Sequence, residues 1–274
     1  MRQIKISLPL IVLGTSLLMS CQKSFQKNEL RKKTEIGHSS ADSSSEKLEE
    51  KLRTNPFTNF LKEDESFEGL SRDQKWSILF HSNLEGEVGP CGCAINPKGG
   101  VNRRLEFVKE MQSGRNVSLR LDTGNSLFPV PVLNKDHFPL AFEKAEAIVQ
   151  SHKLMKLDAM NVGHYDLAMG LKKLKNLEKD ASFPFLSSNL VNRRDDFIFK
   201  SSLRYSTPIG EALVLGLTEL EDNPNFSLKT LDPLKVVKDH LTKEKNINLL
   251  ILLSDLEQVD NMELAEWIDF PTVI

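Results

Sequence analysis

The chain has 274 residues, with 36 lysines and arginines set against 38 aspartates and glutamates and a formal charge of −2. Interspersed charges that nearly cancel argue against a surface for nucleic acid. With its ends set aside, roughly 200 residues remain, enough to bury one sizeable core, and no internal repeat divides them.

Residues 1–20 read as a targeting segment. Arg2 and Lys5 make a positive start, and Ile6 to Leu18 form an apolar run too short to span a bilayer comfortably. The run closes on Leu18-Met19-Ser20-Cys21, an order that resembles bacterial lipoprotein processing sites. The resemblance implies cleavage before Cys21, a diacylglycerol on its sulfur and an acylated amino group; two acyl chains already anchor a protein stably. Gln22 rather than Asp follows, which points to the outer membrane of a Gram-negative cell envelope. Residues 21–75 read as a lipidated, mostly disordered tether. The stretch HSSADSSSEKLEEKLR has too little apolar content to offset the entropy of ordering it. Within the tether, Glu46 to Arg53 has the composition of a short helix, and Phe57, Phe60 and Leu61 could dock onto the folded part.

From residue 76 onward, strand and helix patterns alternate. Trp76 to Phe80 reads as a strand that empties into the polar, glycine-rich stretch HSNLEGEVGPCGCAINPKGG. Val101, Leu105, Val108 and Met111 have helical spacing. Val117 to Leu121 alternates as a strand and ends in Asp122-Thr-Gly-Asn125, and Pro139 to Lys156 carries an apolar helix face. Ala159 to Val162 is a short strand before Gly163-His-Tyr-Asp166, and Phe183 to Leu186 leads into Ser187-Ser-Asn-Leu190. Tyr205 to Gly216 reads as a hairpin and Leu234 to Lys243 as a helix. Ile247 to Leu253 is the most apolar strand, Val259 to Trp267 is a helix, and Phe270 to Ile274 begins another strand. Such alternation implies an α/β domain. In open α/β sheets the loops beyond the strands' carboxyl ends converge on a ligand crevice. Asn83, Glu85, Asn125, His164, Tyr165 and Asp255 all lie on such loops.

The order of these loops resembles the motifs of the calcineurin-like metallophosphoesterases, in particular their 5′-nucleotidase branch, across residues 76–274. The resemblance implies a metallophosphoesterase-like layered sandwich of sheets and helices, C-terminally shortened because the family's later Gly-His-x-His pair is missing. It also implies metal-assisted hydrolysis, in which two cations roughly 3.5–4 Å apart activate a bridging water. Placed residue by residue, the ligand positions are altered. Asn83 stands for an Asp, Glu85 for a His, Asn125 for the bridging Asp, His164 for an Asn and Asp255 for a His. Tyr165 takes the place of the catalytic His, and its unperturbed pKa near 10 makes it a poor acid–base group at neutral pH. Two divalent ions about 4 Å apart repel fourfold more strongly than unit charges, themselves worth about 1–4 kcal/mol in wet surroundings. Asn125 lacks the charge that would offset this. One divalent ion (zinc, manganese or iron) held by Glu85, His164 and Asp255 is the alternative that the donor chemistry allows.

Cys91 and Cys93 form a Cys-Gly-Cys loop that some exported relatives of the nucleotidase branch resemble. In an oxidising compartment the pair could close a small disulfide, act in redox exchange or give two thiolates to a soft metal. Arg103 and Arg104 open a helix after Gly99-Gly100 and could hold an anion there or tie loops together. His81 reads as structural, and His137, His152 and His240 as surface residues of helical segments. The expected function is a membrane-anchored lipoprotein whose phosphoesterase-like domain is catalytically degenerate and binds or assembles, its partner being an envelope protein or a phosphate-containing small molecule. An active phosphoester or nucleotide hydrolase, and a redox or metal-handling protein built on Cys91 and Cys93, are the alternatives.

Overall fold

The computed structural model describes residues 11–14, 77–91, 98–114, 117–220 and 227–274. Cys21, expected to carry lipid, the expected tether, Trp76, His38 and Cys93 lie outside them. In chain order the strands are β1 (Ile11–Gly14), β2 (Ser77–His81), β3 (Pro90–Cys91), β4 (Lys98–Gly99), β5 (Val117–Asp122), β6 (Ala159–Asn161), β7 (Phe185–Leu186), β8 (Leu190–Asn192), β9 (Leu203–Thr207), β10 (Gly210–Leu217), β11 (Leu228–Thr230), β12 (Leu249–Ser254) and β13 (Thr272–Val273). The helices are α1 (Val101–Gly114), α2 (Phe138–Leu154), α3 (Leu171–Asp180), α4 (Pro233–Lys243) and α5 (Gln258–Trp267).

Two sheets face each other. The first runs β1-β2-β5-β6-β7 and is parallel throughout. The second runs β13-β12-β10-β9, parallel except where β9 and β10 form the expected hairpin. The strand period of two sorts the side chains between layers. Ala212, Val214, Leu249, Ile251 and Leu253 face Ile78, Leu119, Leu121, Ala159 and Leu186 of the first sheet. Leu213, Leu215, Leu217, Leu250 and Leu252 face outward onto Val237 of α4 and Leu264 of α5. A strand covered on both faces must be apolar at every position, which accounts for the unbroken run Leu249-Leu-Ile-Leu-Leu253. On the far side of the first sheet, α2 and α3 bury Ala145, Ile148, Val149, Leu174 and Leu177 with Phe128, Met160 and Phe185. The result is helix, sheet, sheet, helix, and each fully buried leucine or phenylalanine contributes about 1.5–3 kcal/mol.

Local signals fix the helix starts. Pro139 opens α2, and Asp232 caps α4 by accepting from Lys235 N (2.6 Å), with Pro233 following it. Helix α3 is an addition to the sequence reading; Leu171, Leu174 and Leu177 give it a narrow apolar stripe among lysines, and Leu174 and Leu177 are buried. Strand β12 begins at Leu249 rather than Ile247. Strand β1 comes from the segment read as a leader and pairs in parallel with β2. Among the described residues no helix is long and apolar enough to cross a membrane.

Candidate functional site

The strands deliver their loops to one end of the two sheets, and backbone hydrogen bonds stitch those loops together. Thr123 N donates to His81 O (2.9 Å), Asn83 N to Gly124 O (3.0 Å), Glu85 N to Asn125 O (3.0 Å) and Gly86 N to Ser126 O (3.1 Å). The loops after β2 and β5 thus run as a paired ribbon. Asn83, Glu85 and Asn125 hold left-handed φ angles of 52°, 50° and 55°, a conformation that asparagine tolerates better than glutamate does. Gly163 has a second constraint. A Cβ there would lie 2.5 Å from Asn125 N and would strike the Asn125 side chain.

Asp166 anchors the arrangement from below. Its Oδ1 accepts from Ser126 N (3.0 Å) and Leu127 N (2.8 Å), and its Oδ2 from Asn125 N and Gly163 N (2.9 Å each). Burial pushes this carboxyl up to about 8, against the pull of the Leu127 and Gly163 N–H groups. All four partners are donors, so the geometry serves the carboxylate form. Asn161 ties the two sheets, its Nδ2 donating to Thr123 O and Leu217 O (3.0 Å each). The Ser187-Ser-Asn189 segment does the same through Thr218. Thr218 N donates to Asn189 Oδ1 (2.8 Å), and Thr218 Oγ1 donates to Val162 O (2.7 Å).

Four of the residues singled out in the sequence meet above this anchor. Asn125 Nδ2 donates to Asp255 Oδ1, and Asn125 Oδ1 accepts from Tyr165 N (2.9 Å). Asp255 Oδ2 accepts from His164 N (2.6 Å). Burial raises the Asp255 carboxyl to about 7, although the His164 N–H and the Asn125 amide favour its charge. The His164 and Tyr165 rings stand edge to face, 6.1 Å apart. Glu85 is half-buried and raised, by burial and then by Glu87. Asn83 is exposed. Beside Thr218 and Glu219 a cleft of about 430 Å³ opens, lined by Asp232, Asp260, Glu263 and Trp267 among others.

Among the described residues, the histidines and carboxylates whose ligand atoms lie within 4.8 Å of one another are a different set: His81, Asp122 and His152. His81 Nε2 is 3.1 Å from His152 Nε2 and 3.2 Å from Asp122 Oδ2, and His152 Nε2 is 3.7 Å from Asp122 Oδ2. This group could hold a metal ion. His152 is fully buried, which corrects its reading as a surface residue; the turn of α2 that carries it packs inward, against Phe183. His81 is buried as well, at 8% exposure. Burial depresses both imidazoles; His81 and Arg104 lower His152 further. Burial opposes the Asp122 charge too, yet His81, His152 and the Gly124 N–H hold the carboxyl down to about 2. Arg104 joins this group rather than the crevice, its Nη2 donating to Ser151 Oγ (3.4 Å). Arg103 is exposed. Cys91 lies in the β3–β4 hairpin, paired with Lys98. The sequence pointed at His81 and Asp122 only as strand-end residues; a helix-borne histidine well further along the chain gave no sign of meeting them.

The fold has solved counterparts. The 5′-nucleotidase precursor of Thermus thermophilus superposes with a TM-score of 0.56 at 22% identity, covering 69% of this chain and 38% of its own. The sulfate thiohydrolase SoxB of Thermus thermophilus gives 0.59 at 17%, covering 71% and 46%. The calcineurin-like phosphoesterase YfkN of Bacillus subtilis gives 0.52 at 14%, covering 65% and 60%. The fold is that of the calcineurin-like metallophosphoesterases, in its 5′-nucleotidase-like form. No protein-family model and no curated protein matches the sequence. The chain spans less than two thirds of the length of each of these neighbours.

Proposed function

We propose that this is a lipid-anchored protein of the bacterial envelope, held to the outer membrane through Cys21, whose 5′-nucleotidase-like domain binds or assembles rather than hydrolysing by the two-metal route. The observation that carries this reading is the hydrogen bond from Asn125 to Asp255. At the position where the family's pattern calls for a bridging carboxylate, an amide N–H points at the neighbouring carboxylate, and the other Asp255 oxygen is taken by His164 N. Two cations need anionic oxygens between them; here the N–H donors and the carboxylate acceptor satisfy one another instead. The residues present do not fit the metal pair, and no hydrolytic step is built on it. Four carboxylates around the neighbouring cleft, Glu219, Asp232, Asp260 and Glu263, would repel a phosphate, which favours an envelope protein as the partner.

Hydrolysis is the second reading, favoured by neighbours named as nucleotidases and phosphoesterases. Turnover of a generic aryl phosphate with added manganese separates the two. No turnover is expected; turnover abolished by Glu85→Ala would overturn the binding reading. Incorporation of labelled palmitate into the full chain, lost in Cys21→Ser, is the expected sign of the anchor.

A further inference from the structure

We propose that His81, Asp122 and His152 form a mononuclear site for a zinc-class divalent cation, buried at the carboxyl ends of β2 and β5. None of the three stands where the phosphoesterase motifs put a ligand, so the site is independent of the crevice and of its proposed inactivity.

Geometry comes first. Edges of 3.1, 3.2 and 3.7 Å place each donor atom about 2 Å from a common centre, the length of a zinc bond to imidazole nitrogen or carboxylate oxygen. Two imidazoles and one carboxylate suit zinc and its transition-metal neighbours, and three protein ligands leave a fourth position open.

Proton counting then argues that something is missing. His81 Nε2, His152 Nε2 and Asp122 Oδ2 converge, and a proton on His81 Nε2 can be given to His152 Nε2 or to Asp122 Oδ2 but not fully to both. Whichever takes it, the other acceptor, in a fully buried side chain, is left short of a donor. An unmet buried carboxylate oxygen costs more than a neutral group does. A cation at the centre meets all three at once.

Charge decides the remaining ligand. Asp122 supplies one negative charge, and Arg104 on α1 brings a positive charge close by, so a bare dication would be poorly compensated. The fourth ligand is therefore an anionic oxygen such as hydroxide. Arg104 offers Nε and Nη1, both buried and without hydrogen-bond partners among the described residues, to receive it.

The test uses the full chain in detergent with Cys91 and Cys93 changed to Ser, so that thiolates cannot supply a competing site. Elemental analysis after dialysis is expected to find about one equivalent of zinc. Cobalt added to apoprotein should give the intense visible bands of a four-coordinate nitrogen–oxygen site. Asp122→Asn should weaken zinc binding at least 100-fold, and His152→Gln should abolish it, with far-UV circular dichroism unchanged. Asp255→Asn should leave the metal in place. If a ligand variant fails to fold, the cobalt spectrum of the unmutated site decides. Folded protein that takes up neither zinc nor cobalt would overturn the proposal and leave a shared proton between the imidazoles. Metal lost in Asp255→Asn but kept in Asp122→Asn would overturn it too, by moving the ion to the crevice.

Discussion

Two polar clusters lie a few residues apart along the chain and follow opposite rules. In the crevice, Asn125, Asp255 and the His164 and Tyr165 backbone pair off donor to acceptor. In the buried cluster, His81, Asp122 and His152 converge on one point, and among the described residues His152 Nδ1 and two nitrogens of Arg104 have no hydrogen-bond partner. The crevice holds the residues that the motif resemblance singled out but has a closed set of hydrogen bonds; the cluster was not singled out but has the unmet demand. Capacity to bind follows the second property, because a satisfied group gains little from a new ligand and an orphaned buried one gains much.

The largest test of the contrast is at the anchor beneath the crevice. Asp166→Asn would turn an amide toward two of the four backbone N–H groups that the carboxylate now accepts. The expected loss is about 3–5 kcal/mol, read as a fall in the urea midpoint with the slope unchanged. Gly163→Ala forces a methyl group against Asn125, and about 1–3 kcal/mol should be lost. The same variant should leave zinc content untouched, since Gly163 belongs to the crevice alone.

Asn125→Asp restores the carboxylate of the family pattern directly opposite Asp255. Without metal it should destabilise the fold by about 1–2 kcal/mol at pH 8 and less at pH 5, where one proton can be shared. Manganese should reverse the loss in the variant and do nothing for the parent; equal manganese effects on both would erase the distinction between closed and open clusters. The smallest effect is the pH dependence of Asp255. Its folded pKa, about 7, lies above the unfolded value, so the folded state binds more protons between about pH 4 and 7. Stability therefore falls as pH rises through that window, by roughly 1 kcal/mol once partial exposure is allowed for. Asp255→Asn should flatten this part of the profile; a profile that rises across it would show that the hydrogen bonds, not burial, control the carboxyl.

Much of the fold was legible because its signals are local. Pro139, Asp232-Pro233 and Gly99-Gly100 mark helix starts, and the unbroken run at 249–253 announces a strand covered on both faces. Helix α3 escaped because its leucine stripe is narrow and its lysines dominate the composition. The crevice residues were found from strand-end position alone, but their pairing was not. Whether Asn125 replaces a bridging ligand or closes a hydrogen bond depends on where Asp255 lies, 130 residues away.

The sequence by itself determined the α/β layering, the strand ends that converge and the residue types waiting on their loops, since each depends on neighbours within a turn or a strand. Only the tertiary structure decided that Asp255 is already spoken for, that His152 points inward, and that His81, Asp122 and His152 share one buried point. Hydrogen bonds and metal sites require atoms placed to a few tenths of an ångström, and that placement comes from packing α2 against the sheet rather than from any local pattern.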